Sequence, residues 1–380
     1  MIQSIAIISS YAPSLVNFRG PLIEALVDKG IGVYALAPDY DPVLKAKVEA
    51  LGATAVDYRL DRAGMSIRRD AAAFWQLYRI LKRLKPDATL GYFIKPVIYG
   101  SLAAALAAVP HRFALVEGLG YLFTDQEKTG RRRKLFRALL KLLFRMAFAL
   151  SQRVFFLNPD DRAAFVDSGA LDPGKTEIIG AIGLDLAHFP ATPAPAAGVP
   201  VFLFIGRLLR EKGVYEFVEA ARRLRDAGVE ARFVMLGAGD VNPGAIPQAE
   251  VEAWVAQGLV EWPGQVADVR PWLVAATAFV LPSWREGFPR STQEAMAAGR
   301  AVITTDVPGC RETVTEGVNG FMVPVRDAEA LAEAMLRFVR EPALAVIMGR
   351  ESRAIAEARF DVHQANRRLL AGMGLAVEPG

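Results

Sequence analysis

Two glutamates, Glu286 and Glu294, stand eight residues apart in Glu286-Gly-Phe-Pro-Arg-Ser-Thr-Gln-Glu294. An ionised carboxylate can accept two hydrogen bonds side by side, which suits a pair of vicinal hydroxyls. Ribose and hexose rings both present such pairs. Glu286 falls in a loop, with Gly287 and Phe288 behind it. Glu294 falls inside a helical pattern that begins near Arg290, after Pro289, and runs to Gly299. The first amides of that helix, from Arg290 and Ser291 onward, lack intrahelical acceptors and favour a diphosphate. A second cluster is Gly206-Arg207-Leu-Leu-Arg-Glu-Lys212-Gly213, in which a strand pattern ends at a glycine and a loop presents two cations. Arg offers a planar fork and Lys a compact charge, and together they can neutralise a departing diphosphate. Taken alone, the glutamate spacing fits an ordinary surface helix equally well, and the basic loop fits a solvated turn.

The elements around these residues give them a setting. Ala278-Phe-Val-Leu-Pro282 precedes the glutamates and Ala301-Val-Ile-Thr-Thr305 follows, which reads as strand, loop, helix, strand. The first half of the chain repeats that rhythm. Strands are expected at 4–9, 32–36, 88–92, 111–116, 153–157 and 177–179, with helices at 20–28, 67–84 and 101–108 among those between them. The second half adds strands at 201–205, 231–236, 260–262, 278–281 and 301–304, and helices at 214–227 and 246–257. Alternating strands and helices predict α/β layers around parallel sheets. The Pro- and Ala-rich stretch between the halves has no periodicity and reads as a linker. The expected domains are 1–190, a linker at 191–200, 201–360, and a final helical segment, 361–380, crossing back to the first domain. A chain of 380 residues suits two hydrophobic cores.

Composition narrows the function classes. Net charge is only +4, and no basic groove interleaved with aromatics is found, so nucleic acid is not an expected partner. One cysteine, Cys310, rules out an intrachain disulfide framework and suits a reducing compartment. His111, His188 and His363 are too scattered for a metal site. Asp39-Tyr-Asp41 reads as a turn rather than a metal-binding pair. Met1–Ile8 reads as a first strand rather than a signal peptide, and no apolar run is long enough to span a bilayer.

The full string from Glu286 through Ala295-Met-Ala-Ala-Gly299 to Asp306-Val-Pro-Gly-Cys-Arg-Glu312, with the Gly206-Arg207 and Lys212-Gly213 element, resembles the donor-site signature of family 4 retaining glycosyltransferases. The resemblance implies the glycosyltransferase B architecture, two Rossmann-like domains facing across a cleft. It implies that Glu294 binds ribose hydroxyls, and that Glu286, Gly287 and Phe288 contact the transferred sugar. By the same resemblance, Arg207 and Lys212 hold the diphosphate, and the base lies near Gly237 and Val266. Neither uracil nor guanine is readable from the residues; the wider resemblance favours UDP. No metal or other cofactor is implied.

Asn17-Phe-Arg19-Gly20, Tyr92-Phe-Ile-Lys95-Pro and Glu117-Gly118-Leu-Gly120-Tyr121 are similar to a bacterial subset that extends undecaprenyl-diphosphate-linked glycans, and that match covers essentially the whole chain. It implies a lipid-linked saccharide acceptor bound by Ser10, Arg19, Gly20, Lys95, Gly118, Gly120 and Tyr121. Ser10 stands in a loop where the family often has glycines. Lys95 reads either as a diphosphate contact or as a surface lysine. Glu117 reads either as a base or orienter for the acceptor hydroxyl, or as a salt-bridging residue.

Residues 131–150 add a third feature. Arg133, Arg137, Lys141 and Arg145 recur every fourth residue, apolar residues including Leu139 and Leu142 fill much of the remainder, and no acid occurs. Such a helix suits an anionic membrane surface, with Met146–Leu150 expected to be buried. These readings converge on a peripheral protein of the inner face of the cytoplasmic membrane. It would move a hexose or N-acetylhexosamine from a UDP-sugar. Rival readings are an epimerase or hydrolase of the same fold, or a non-catalytic sugar-nucleotide-binding partner at the membrane.

Overall fold

The computed structural model describes residues 1–61, 66–119, 131–195, 197–240, 242 and 244–375, with 131–137 described as backbone only. The chain forms two compact units, one built from Met1–Ile182 with the chain from Val362 onward, the other from Gly183–Asp361.

The first unit holds seven strands: β1 (Ser4–Ile8), β2 (Gly32–Ala37), β3 (Thr54–Asp57), β4 (Ala88–Tyr92), β5 (His111–Val116), β6 (Arg153–Phe156) and β7 (Thr176–Ile178). They pair in the order β3-β2-β1-β4-β5-β6-β7, all parallel. β1 and β4 are continuous apolar runs with almost no exposed surface, as expected of central strands covered on both faces. The second unit holds β8 (Val201–Ile205), β9 (Arg232–Leu236), β10 (Glu261–Gly264), β11 (Ala278–Leu281), β12 (Ala301–Thr305) and β13 (Gly320–Val323). Their order is β10-β9-β8-β11-β12-β13, again all parallel. Each unit is a doubly wound α/β sheet of Rossmann type.

Two strands escaped the sequence reading, and both are sheet edges. β3 has only two apolar residues between a Thr and an Asp and is nowhere fully buried, so it lacks the apolar run that marks the inner strands. β13 opens on a glycine and is short. The boundary between units also differs from expectation. The segment expected as a linker belongs to the second unit, where two arginines tie down the linker and the residues just before it. Arg300 Nη2 donates to the Thr192 carbonyl at 2.6 Å and to the Thr192 hydroxyl. Arg353 Nη1 reaches the Phe189 carbonyl at 2.8 Å. Both cations satisfy backbone carbonyls that an aperiodic segment would otherwise leave unpaired.

Connection direction sorts the helices of the first sheet. Right-handed crossovers put the helices that lead from β3 to β4, from β4 to β5, from β5 to β6 and from β6 to β7 on one face. These are Ile67–Leu84, Ser101–Leu106, Arg131–Leu150 and Pro159–Val166. Gly20–Val27 and Pro42–Ala50 lie on the other face, where Val362–Gly372 packs against the former. Leu140, Phe144 and Phe148 of the basic helix enter a core with Val116, Phe156 and Phe165. The Phe148 and Phe165 rings meet edge to face at 5.0 Å.

Candidate functional site

In an open α/β sheet, ligands gather at the carboxyl ends of the strands where chain order reverses. In the second unit that point lies between β8 and β11. β8 ends at Ile205 and delivers Gly206 and Arg207; β11 ends at Leu281 and delivers the loop that carries Glu286. The sequence clusters therefore converge because of strand order, not because of their distance along the chain.

Lys212 Nζ lies 2.5 Å from Glu286 Oε1, and Ser283 Oγ donates to the same oxygen at 2.7 Å. Both charged side chains are largely shielded, with 19% and 11% of their surfaces exposed. The loop geometry enforces this meeting. Gly213 has φ +76°, and a Cβ there would stand 2.1 Å from the Pro282 carbonyl oxygen. The Lys212 loop is thus pressed against the end of β11 at a position only glycine can fill. Glu286 N donates to the Pro308 carbonyl at 3.0 Å, and Trp284 N to that of Glu211 at 2.9 Å, so the glutamate loop is braced from both sides.

Arg207 projects further toward solvent, its Nη1 2.7 Å from Asp240 Oδ2. Gly206 and Gly237 are in contact: Gly237 has φ +146°, and a Cβ there would stand 1.9 Å from the Gly206 carbonyl oxygen. The Gly237 N–H donates to the Gly264 carbonyl at 2.9 Å. Gly237 therefore shapes the loop through close packing, while its amide is already engaged. Val266 is half-buried just beyond β10.

Glu294 lies on the helix Arg290–Ala297, whose first turn has no side-chain cap. Arg290 Nε donates to Glu294 Oε1 at 3.0 Å. Burial pushes the Glu294 carboxyl above the usual carboxylate range, and the charges of Arg290 and His188 oppose that rise. His188 ends a short turn capped by Asp185, which accepts from Ala187 N at 2.9 Å. Phe288 turns inward and meets the Phe360 ring edge to face at 5.5 Å, leaving its backbone to border the site. Pro289 is buried, and Gly287 and Ser291 are half-buried at the start of the helix. Cys310 is fully buried and its thiol is pushed up to about 12 by that burial, so it is an inert core residue.

In the first unit the reversal lies between β1 and β4. The buried Arg19 donates to Glu117 Oε1 at the end of β5, and its guanidinium carbon stands 4.8 Å from the centre of the Tyr92 ring. Tyr92 is hydrogen-bonded to Ser14 Oγ at 2.7 Å, and burial holds its hydroxyl up at about 12. Of the two readings for Glu117, the observed geometry is the salt bridge. Lys95 is not a surface lysine: its Nζ donates to Asp70 Oδ1 at 2.6 Å and to the Asp61 carbonyl at 2.7 Å, so its charge is balanced within the unit. Gly20 opens a helix, and a Cβ there would meet Leu51 at ordinary contact distance, so packing does not require a glycine at this position. Ser10 is buried, and Gly118 is half-buried with φ +127°. Gly120 and Tyr121 lie outside the described residues, as do the side chains of Arg133 and Arg137. Lys141 and Arg145 are exposed. Met146 and Leu150, expected to be buried, are exposed as well; in that stretch Ala147 and Phe148 turn inward.

Sequence reasoning passed over Ser283 and Asp240, the partners of Glu286 and Arg207. Ser283 stands just past β11 at the reversal point, and Asp240 follows the Gly237-Ala-Gly239 turn. Strand-end position could have flagged both; their residue types alone could not. Among the described residues, no group of three or more His, Cys, Asp or Glu is arranged to hold a metal ion.

This pattern of two doubly wound sheets, with cations and carboxylates at a strand-order reversal, defines an enzyme of the glycosyltransferase B class. Residues 199–341 match the family model described as glycosyl transferases group 1, and residues 18–181 match the glycosyl transferase 4-like domain. The chain belongs to this glycosyltransferase family. It is 32% identical over 341 residues, 87% of each chain, to the N,N'-diacetylbacillosaminyl-diphospho-undecaprenol alpha-1,3-N-acetylgalactosaminyltransferase of Campylobacter jejuni. It is 26% identical over 74% of each chain to the UDP-Gal:alpha-D-GlcNAc-diphosphoundecaprenol alpha-1,3-galactosyltransferase of Escherichia coli. Among solved structures, HepE of Anabaena in complex with UDP and glucose superimposes with a TM-score of 0.76 at 18% identity, covering 98% of this chain and 99% of that one.

Proposed function

We propose that this enzyme is a retaining, metal-independent glycosyltransferase. It moves a hexose or N-acetylhexosamine from a UDP-sugar to a hydroxyl of an undecaprenyl-diphosphate-linked saccharide in bacterial surface-glycan assembly. The observation that carries this reading is the meeting of Lys212 and Glu286 at the β8/β11 reversal, beside the uncapped start of the Arg290–Ala297 helix. The names of the two relatives above, both transferases onto diphosphoundecaprenol-linked sugars, support the acceptor class.

The chemistry follows from charge. As the bond from anomeric carbon to diphosphate breaks, negative charge grows on the leaving oxygens. Lys212, Arg207 and the first amides of the Arg290–Ala297 helix neutralise it without water having to reorganise. Glu286 holds the Lys212 ammonium in place and offers its second oxygen to a sugar hydroxyl. Glu294 accepts from the ribose. Retention follows when the acceptor attacks on the face the diphosphate leaves, and a diphosphate oxygen takes the acceptor proton. The buried Arg19–Glu117 pair stiffens the strand ends of the first unit, where the acceptor binds, and Ser10 and Gly118 border that site.

The enzyme works as a peripheral protein on the cytoplasmic face of the membrane. Among the described residues, no helix is long and apolar enough to cross a bilayer. The Arg131–Leu150 helix exposes Lys141 and Arg145, and each cation near an anionic surface contributes about 1 kcal/mol.

The test is product formation by the purified protein with UDP- and GDP-sugars and undecaprenyl-diphosphate-linked mono- and disaccharides, in EDTA. Transfer from one UDP-sugar with retained anomeric configuration is expected. Transfer that returns only with a divalent cation overturns the metal-independent mechanism. Absence of both transfer and UDP-sugar binding overturns the assignment of Glu286 and Glu294.

A further inference from the structure

The exposed large apolar side chains of the first unit are concentrated on one face. Trp75 (51% exposed), Leu106 (51%), Leu139 (43%), Leu142 (53%) and Met146 (46%) come from three of the four helices that cover the same side of the sheet. They are organised along each helix. On Ile67–Leu84 the exposed stripe runs Arg68, Ala72, Trp75, Arg79, Lys82, so the indole has a cation one turn away on one side and another two turns away on the other. On Arg131–Leu150 the exposed stripe carries Leu139, Leu142 and Met146 beside Lys141 and Arg145. Leu106 closes the middle helix. Trp75 is held in place: its ring meets those of Phe74 at 5.3 Å and Tyr78 at 5.7 Å, both edge to face.

Charge separates this layer from the rest of the molecule. These three helices contain twelve lysines and arginines and one acid, Asp70, which is bound to Lys95 inside the unit, while the fourth helix of this face, Pro159–Val166, adds Asp160, Asp161 and Arg162. The chain has 45 basic and 41 acidic residues in total. Outside these three helices acids therefore outnumber bases, 40 to 33. A chain with almost no net charge concentrates basic residues in these helices, and their exposed apolar groups lie on the same side of the sheet. Water has no use for that combination, since clustered apolar surface is normally covered. An acidic protein partner would match the cations but leave the apolar groups without a stated role. An anionic bilayer matches both: phosphate headgroups take the Lys and Arg tips, the acyl boundary takes Leu and Met, and indole prefers the depth between.

We infer that the whole outer surface of this three-helix layer lies on an anionic lipid surface, with Trp75, Leu106, Leu142 and Met146 seated below the phosphates. This deepens the membrane-surface reading above, which rests on the Arg131–Leu150 helix alone. It fixes an orientation: contact through two or more roughly parallel helices prevents rolling about a single helix axis.

The test uses the single, fully buried cysteine, Cys310, as a silent background. Cysteine is introduced singly as Trp75→Cys, Leu106→Cys, Leu142→Cys and Met146→Cys, and as Val43→Cys on the opposite face as a control. Each is labelled with an environment-sensitive fluorophore and mixed with vesicles of phosphatidylcholine alone or with phosphatidylglycerol. A blue shift and quenching by brominated acyl chains are expected at the four layer positions in anionic vesicles only, and not at position 43. Vesicle binding with burial at 142 and 146, but with 75 and 106 remaining in water, overturns the layer and leaves the single-helix reading standing. Failure to bind anionic vesicles at all overturns both. As a second measurement, the triple variant Trp75→Gln/Leu142→Gln/Met146→Gln should bind anionic vesicles at least tenfold more weakly while UDP-sugar binding in solution is unchanged. Unchanged vesicle binding by that variant overturns the inference.

Discussion

At the scale of single residues, the site is built from charges whose partners come from other elements. Lys212 and Glu286 neutralise one another at 2.5 Å, so neither acts alone. Lys212→Met should lower kcat by about 10² to 10³, the range seen when one preorganised transition-state donor is removed. If Glu286 positions the lysine and the sugar, Glu286→Gln should cost about as much and give no trapped glycosyl-enzyme. A loss far beyond that, with a covalent adduct in mass spectra, would make it a nucleophile. Glu294 yields a pH prediction. Its folded-state carboxyl titrates above the ordinary range because burial penalises the charge. A raised acid contributes stability below its unfolded pKa, and that contribution is lost as pH rises through the folded value. At neutral pH the ionised carboxylate is therefore a net cost. Glu294→Gln should raise the Tm at pH 7 to 8, gain less or nothing near pH 4, and weaken UDP-sugar binding at every pH. A variant less stable at neutral pH would contradict the burial argument. The two glutamates and both cations were legible from residue type and spacing once joined to a recognisable string. Ser283 and Asp240 were not, because short polar residues after a strand are common and only the fold brings them to their charges.

At the scale of elements, glycine placement decides whether the site closes. Gly213 joins the Lys212 loop to its helix, Val214–Asp226, in a left-handed conformation against the Pro282 carbonyl. Gly213→Ala combines backbone strain with a carbonyl clash, and should cost about 2 to 4 kcal/mol. It should also part Lys212 from Glu286, so kcat should fall even at temperatures where the variant is fully folded. Circular dichroism melts and steady-state rates separate the two effects. A fully active variant that is only less stable would show that the loop need not be held so tightly. The inner strands were readable because continuous apolar runs can only be satisfied between two helical layers. Edge strand β3 was not, since a half-exposed strand carries a mixed sequence, and β13, though largely buried, is only four residues long and opens on a glycine. The basic helix shows a different limit. Its periodicity marked a cationic stripe, but its leucines divide: Leu140 enters the core while Leu139 and Leu142 face outward. A sequence with apolar residues on more than one side does not say which side the sheet will claim.

At the scale of the molecule, the first unit is discontinuous in sequence. Its sheet is complete by Ile178, yet the chain returns from Val362, after the whole second unit, to contribute the helix Val362–Gly372. That helix buries Val362, Ala365, Leu369 and Leu370, and it packs on Gly20–Val27, the helix that follows Arg19. Full burial of an aliphatic side chain such as Val or Leu is worth about 1.5 to 3 kcal/mol. Its loss should therefore remove several kcal/mol from the first unit alone. The second unit, Gly183–Asp361, keeps every strand of its own sheet. A chain ending at Asp361 should consequently unfold in two separated steps, with amide hydrogen exchange accelerated in β1, β2 and Gly20–Val27 but unchanged in β8 and β11. UDP-sugar binding, which depends on Arg207, Lys212, Glu286 and Glu294 of the second unit, should survive the truncation, while transfer to a lipid-linked acceptor should be lost. Retention of transfer, or exchange that rises equally in both units, would show that the returning helix is dispensable to the unit it rejoins.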